Sequence, residues 1–176
     1  MSNSRFQIYP YRQESLSPVA GYPAPIARPT VDLQVNREHY EFRVLALIDT
    51  GAPVTIFDSA VAEPLGIRLG LPGAHWEPVT ILGATHKAER HLVTLTLPPF
   101  HGMSWETEVL FLREELDVAF AGLLGTVGFL DRWVVSFNYY DNYFVVEERD
   151  SFQERFPKDM EREFQRFDSE WAPPGR

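Results

Sequence analysis

The residues best suited to chemistry lie in "ALIDTGAPVTIF", residues 46 to 57, where an acid, a hydroxyl, a glycine and an alanine (Asp49, Thr50, Gly51, Ala52) interrupt apolar, β-prone text. The run "VLALI" ahead of them reads as a buried strand, so Asp49 is expected at its end, where an unpaired carboxylate is costly. Asp49 either only starts a turn, as Asp and Gly after a strand commonly do, or is kept there because something at this place needs a carboxylate. Gly51 allows the backbone to pass where a Cβ would obstruct. Far downstream, "GLLG" (Gly122 to Gly125) clamps two apolar residues between glycines and leads into "FLDRW", which reads as helix-like.

Rival chemistries lack their residues. His39, His75, His86, His91 and His101 form no H-E-x-x-H and no pair on one helical face, so no metal is expected; His86 and His91 are assigned to opposite arms of a hairpin. Ser59, Ser104 and Ser136 are not set in G-x-S-x-G. Gly122, Gly125 and Gly128 echo a nucleotide loop, but an acidic stretch precedes them and the Lys of such a loop is missing, so no cofactor is expected. The chain has no Cys and therefore no thiolate nucleophile, thiolate metal site or disulfide. Trp76, Trp105, Trp133 and the pair Tyr139-Tyr140 read as core or cleft wall.

The elements that must position Asp49 are mostly short strands. "TVDLQVN" and "YEFRVLALI" alternate apolar and polar residues around a turn at Asn36 to His39. "TIF" continues as a short strand, then "DSAVAEPLGI" as a short helix capped by Asp58, limited by Pro64 and ended near Gly66. "RLGLPGAHWEP" is a loop; "VTILG" and "RHLVTLTL" form a hairpin with a polar tip over Gly83 to Glu89. "WETEVLFL" adds a strand, and "VVSFNYYDNYFVVE" a closing hairpin that turns near Asp141 and Asn142. The expected class is mainly β, a closed barrel or sandwich with one or two short helices.

Three segments are expected. Residues 1–29 carry Pro10, Pro18, Pro23, Pro25 and Pro29 without sustained periodicity and read as an extended arm; residues 30–148 form the domain; residues 149–176 form a helical tail. In that tail Phe152, Phe156, Met160, Phe164, Phe167 and Trp171 recur at spacings of 4, 4, 4, 3 and 4, one apolar face of a helix. It suits docking on its own domain or on a partner.

At 176 residues with 44% hydrophobic content, the chain has material for one core. A net charge of -9 disfavours nucleic acid. No apolar run reaches the roughly 18 residues of a membrane span and no signal-type segment opens the chain, so a soluble cytoplasmic protein is expected, with no membrane partner.

"ALIDTGAPVTIF" taken with "AGLLGTVGFLDRWVVSFNYYDNYFVVE" resembles the retropepsin-like aspartic protease family, that of retroviral proteases and their bacterial relatives, over roughly residues 30–148. The resemblance implies a retropepsin-like β-barrel that hydrolyses peptide or protein substrates as a homodimer, since each domain supplies one carboxylate and the reaction needs two. It implies that Asp49 is catalytic and that the two copies share a proton, one acting as general base on water while the other hydrogen-bonds the scissile carbonyl. It further implies that Thr50 braces the pair across the dimer axis, that the Gly51 backbone approaches both the catalytic carboxylate and the substrate main chain, that Ala52 fits the floor of the cleft, and that Leu124 and Gly125 support the loop from beneath. Leu82, Gly83 and Ala84 become the tip of a substrate-covering flap, with Gly83 its pivot.

Two positions depart from the retroviral pattern. The acidic residue that follows the D-T-G-A segment is replaced by Pro53, which has no N–H to offer, and the Arg after the second motif is replaced by Thr126. The losses match, so no charge is stranded. They leave open a non-catalytic member that uses the cleft as a peptide-binding or dimerisation module.

Overall fold

The computed structural model describes residues 6–14, 26–81, 83–97, 103–115 and 119–155. The described parts of its proline-rich beginning are strands: β1 (Phe6–Pro10), β2 (Arg12–Glu14) and β3 (Ile26–Arg28). They are followed by β4 (Thr30–Arg37) and β5 (Tyr40–Ile48), whose two-residue turn at Glu38 and His39 places Glu38 at φ 56. Alternation decides the faces of β4: Val31, Leu33 and Val35 are buried while Asp32 is exposed, its carboxylate paired with Arg12 of β2. Next come β6 (Ile56–Phe57) and α1 (Ser59–Ala62), where Asp58 accepts the Ala60 N–H at 2.9 Å. Pro64 turns the continuation into a single 3₁₀ turn over Glu63–Leu65, ended by Gly66 at φ 68.

The remaining strands are β7 (Glu77–Ile81), β8 (Ala84–Thr96), β9 (Ser104–Leu112), β10 (Gly122–Leu124), β11 (Trp133–Asn138) and β12 (Tyr143–Glu148), and α2 (Arg149–Arg155) follows. Seven strands form one sheet in the order β4-β5-β10-β6-β9-β8-β7, and a further β4–β8 pairing returns the end of β8 to the first strand. A second sheet, β1-β12-β11, carries the beginning of the chain on its closing hairpin, and β2 pairs with β3. The fold is mainly β, as expected.

Four local expectations change. The polar stretch "THKAE" is strand rather than turn, because Ile81 pairs with Ala84 and leaves only two residues in the loop. His86 and His91 therefore share β8 instead of facing each other across a hairpin. "FLDRW" forms hydrogen-bonded turns, with Arg132 and Trp133 both donating to the Phe129 carbonyl, and no helix. Tyr139 and Tyr140 are exposed at the tip of the β11–β12 hairpin rather than packed in a core or cleft wall. Of the C-terminal amphipathic segment, α2 is described; Phe156, Met160, Phe164, Phe167 and Trp171 lie outside the described residues.

Apolar side chains divide between two clusters. The main core joins Leu33, Phe57, Phe111, Phe129, Trp133 and Phe144, with Trp105 edge-on to Trp133 and its indole N–H on the Gly128 carbonyl at 2.8 Å. A smaller cluster of Ile56, Ala88, Leu110 and Leu112 lies beside Val54, Val79 and Ile81. Because β9 buries every residue from Val109 to Leu112, its alternate side chains reach one cluster and then the other.

His91 supplies a test of the folded state. Its ring is half-buried edge-on to Phe111, and burial lowers its pKa from the ordinary 6.5, with Glu89 opposing the shift and Arg37 adding to it. A group that binds its proton less readily when folded stabilises fully above its unfolded pKa and loses that contribution as pH falls toward the folded value. Thermal midpoints are expected to fall as pH is lowered below about 6.5, and His91→Gln to flatten that dependence. Parallel melting curves for both proteins would contradict this.

Candidate active site

β5 carries its buried residues Val44, Ala46 and Ile48 to the sheet's end and delivers Asp49 one position further on. The side chain is half-buried there, not sunk in the core, because the chain turns immediately after the last buried strand residue. The Asp49 N–H donates to the Leu124 carbonyl at 3.1 Å, one carboxylate oxygen accepts the Gly51 N–H at 2.9 Å, and the Ala52 N–H returns to the Asp49 carbonyl at 3.2 Å. These bonds hold a tight loop whose acid sits at its start. Thr50 and Gly51 are exposed beside it, while Ala52 is buried beneath.

The second motif lies directly under the first. β10 inserts between β5 and β6, parallel to one and antiparallel to the other, so Ala46, Leu47 and Ile48 face Gly122, Leu123 and Leu124 in register. Insertion at this spacing leaves no room for side chains at its two glycines. A Cβ on Gly122 would fall 2.7 Å from the Phe57 ring, and one on Gly125 would fall 2.4 Å from the Val54 carbonyl oxygen. Beyond Gly125 the two loops are laced together: Thr126 N–H to the Ala52 carbonyl at 2.8 Å, Val127 N–H to the Pro53 carbonyl at 3.0 Å, and Thr55 N–H to the Val127 carbonyl at 2.9 Å. The buried Thr55 hydroxyl accepts the Gly125 N–H at 3.2 Å.

Asp49 opens onto a groove of about 600 Å³. One wall is the loop from Gly51 to Val54; the facing wall is β7; Ile56, Leu110 and Leu123 form the apolar floor. Arg28 borders it with its guanidinium 5.8 Å from the Phe120 ring centre, brought there because the next residue, Pro29, accepts the Ile48 N–H at 2.9 Å. The structure thus gathers Asp49, Gly51, Ala52, Leu124 and Gly125 at one place. Gly83, at φ 83, and Ala84 form the hairpin tip and do not line this groove; Leu82 lies outside the described residues.

Thr55, Arg28, Phe120 and the β7 wall escape a reading of the sequence alone. A hydroxyl in "VTIF" reads as one more β-prone residue, and "ARP" as the end of a linker. Among the described residues no three His, Asp or Glu side chains gather as metal ligands, and no helix is long and apolar enough to cross a membrane.

Solved structures resemble this architecture. The retropepsin-like aspartic protease from Rickettsia conorii superposes with a TM-score of 0.51 at 16% identity, over 68% of this chain and 89% of that one. EIAV protease complexed with the inhibitor HBY-793 gives 0.41 at 20% identity over 60% and 88%, and the retroviral protease-like domain of Ddi1 from Leishmania major 0.38 at 20% over 57% and 73%. No protein-family model matches the chain, and no curated protein matches it in sequence. The Rickettsia likeness defines the class: this is a mainly β protein with a retropepsin-like fold.

Proposed function

We propose that this chain is an aspartic endopeptidase, working as a homodimer in which two copies of Asp49 meet at the symmetry axis. The observation that carries the reading is Asp49 itself, at the head of an apolar groove and held there by the Leu124 carbonyl and the Gly51 N–H. A single carboxylate in an apolar cleft can take a proton from water but has no acid beside it to assist the carbonyl. A second copy supplies that acid. Two carboxylates in close contact retain one proton between them, so the ionised one draws a proton from the attacking water while the other hydrogen-bonds the scissile carbonyl, without a covalent intermediate. Thr50, exposed next to Asp49, faces the partner; Gly51 and Ala52 line the path of the substrate backbone; Leu124 and Gly125 support the loop. Residues 30–148 are the working unit, and the hairpin with its tip at Leu82, Gly83 and Ala84 is the flap.

An extended peptide fits between β7 and the Asp49 loop, with main-chain bonds for alignment and the apolar floor for side chains. Peptides with large apolar residues at the cleavage site are therefore the expected substrates. Incubation with a peptide library is expected to yield cleavage that a statine-type transition-state mimic blocks, and specific activity is expected to fall on dilution as dimers separate. Activity per chain that stays constant while sedimentation shows only monomer would sink the dimer mechanism.

Pro53 favours a second reading, a peptide-binding or dimerisation module without turnover. It stands in the groove wall and offers no N–H to a bound backbone. Tight binding of library peptides that emerge intact would select this reading.

A further inference from the structure

Glu89 is only 4% exposed, and a buried carboxylate is tolerated where it is fully engaged. One of its oxygens accepts two bonds, from the Arg113 guanidinium at 2.6 Å and from the Gly70 N–H at 2.7 Å. These partners come from different parts of the chain. Gly70, at φ 74, lies in the loop of residues 66–76 that runs directly into β7. Arg113 follows the last residue of β9, and its own N–H holds the Lys87 carbonyl at 2.9 Å.

The position of Glu89 along β8 makes this junction mechanical. Ala88 is the last residue of β8 that pairs with β7, through Glu77, and also the first that pairs with β9, through Leu112. On one side of this point β7 and β8 form a hairpin whose β7 strand lines the groove; on the other, β8 is anchored in the sheet. Glu89 is the next residue on the anchored side. Its carboxylate joins the segment entering the hairpin, the strand leaving it and the end of β9.

We propose that Glu89 is a positioning residue for the paired residues 77–81 and 84–88, fixing the angle at which β7 faces Asp49. Its kinetic consequence rests on the peptidase reading; its structural consequence does not. With the carboxylate charge removed, the hairpin populates open arrangements, and apparent substrate affinity drops by the fraction of molecules that remain correctly closed. A saturating substrate restores closure, so turnover at saturation is retained.

The test uses the full chain carrying Glu89→Gln, with Arg113→Gln as a second variant that breaks the same contact from the other side should the first fail to fold. Hydrogen exchange is expected to quicken roughly tenfold in amides of residues 77, 79–81 and 84–88 and to stay unchanged in β4 and β5. On a cleaved peptide, KM is expected to rise roughly tenfold with kcat within about twofold. Unchanged exchange in the hairpin of a folded variant overturns the proposal, as does quickening spread evenly through β4 and β5, or a loss of kcat at constant KM. A wild-type chain that cleaves no peptide sinks the peptidase reading instead, and the exchange measurement still decides the role of Glu89.

Discussion

Asp49→Asn is expected to lower peptide hydrolysis by roughly 10³-fold or more while leaving the fold intact. The substitution keeps the size of the side chain and an oxygen able to accept the Gly51 N–H, so the loop has no reason to open. What disappears is the proton chemistry. An amide cannot accept a proton from water near neutral pH, and it cannot carry the shared proton of a carboxylate pair. In a homodimer one substitution removes both catalytic groups, so the residual rate is that of binding and orientation alone. Initial rates on one peptide at matched protein concentration, with thermal midpoints beside them, make the comparison. Cleavage at the wild-type rate would falsify the catalytic role of Asp49. A mutant that loses its rate but keeps its midpoint separates that role from a structural one.

The second large effect is on stability. Gly125→Ala is expected to cost about 3 kcal/mol, the upper end for overpacking, and to lower the thermal midpoint by roughly 6–12 °C. Its new Cβ would lie 2.4 Å from the Val54 carbonyl oxygen and 2.8 Å from that of Ala52, both backbone atoms. These carbonyls belong to the loop leaving Asp49, and Ala52 also accepts the Thr126 N–H, so relief by backbone movement disturbs the Asp49 loop itself. Activity should therefore fall along with stability. Gly122→Ala is expected to cost less, because its obstacle is the Phe57 ring, a side chain with a torsion to adjust. Midpoints ranked Gly125→Ala below Gly122→Ala below wild type test the distinction between backbone and side-chain obstruction; the reverse order contradicts it.

Local features of the fold were legible where one residue determines one conformation. The turn after Arg37, the Asp58 cap, the left-handed Gly66 and the hairpin closing at Asp141 and Asn142 each follow from short-range chemistry. Strand periodicity was equally readable in β4 and β5, where one face is buried. The β7–β8 hairpin misled for a related reason. A polar run such as "THKAE" suits a loop and a projecting strand alike, and only the partner strand distinguishes them.

Taken by itself, the sequence determined that an acid, a hydroxyl and a small residue follow a buried strand, and that two glycines far away bracket an apolar pair. It could not place "GLLG" between β5 and β6, because alternation and propensity describe which face a strand buries, not which strands lie beside it. That insertion, decided by tertiary packing, turns two separated motifs into one site and explains why Gly122 and Gly125 must be glycine. Folding also brings Arg28, Thr55 and β7 around Asp49, and makes Glu89 the junction of three segments. Those contacts join residues distant in the chain, and no short-range chemistry encodes them; they exist only once the sheet has assembled.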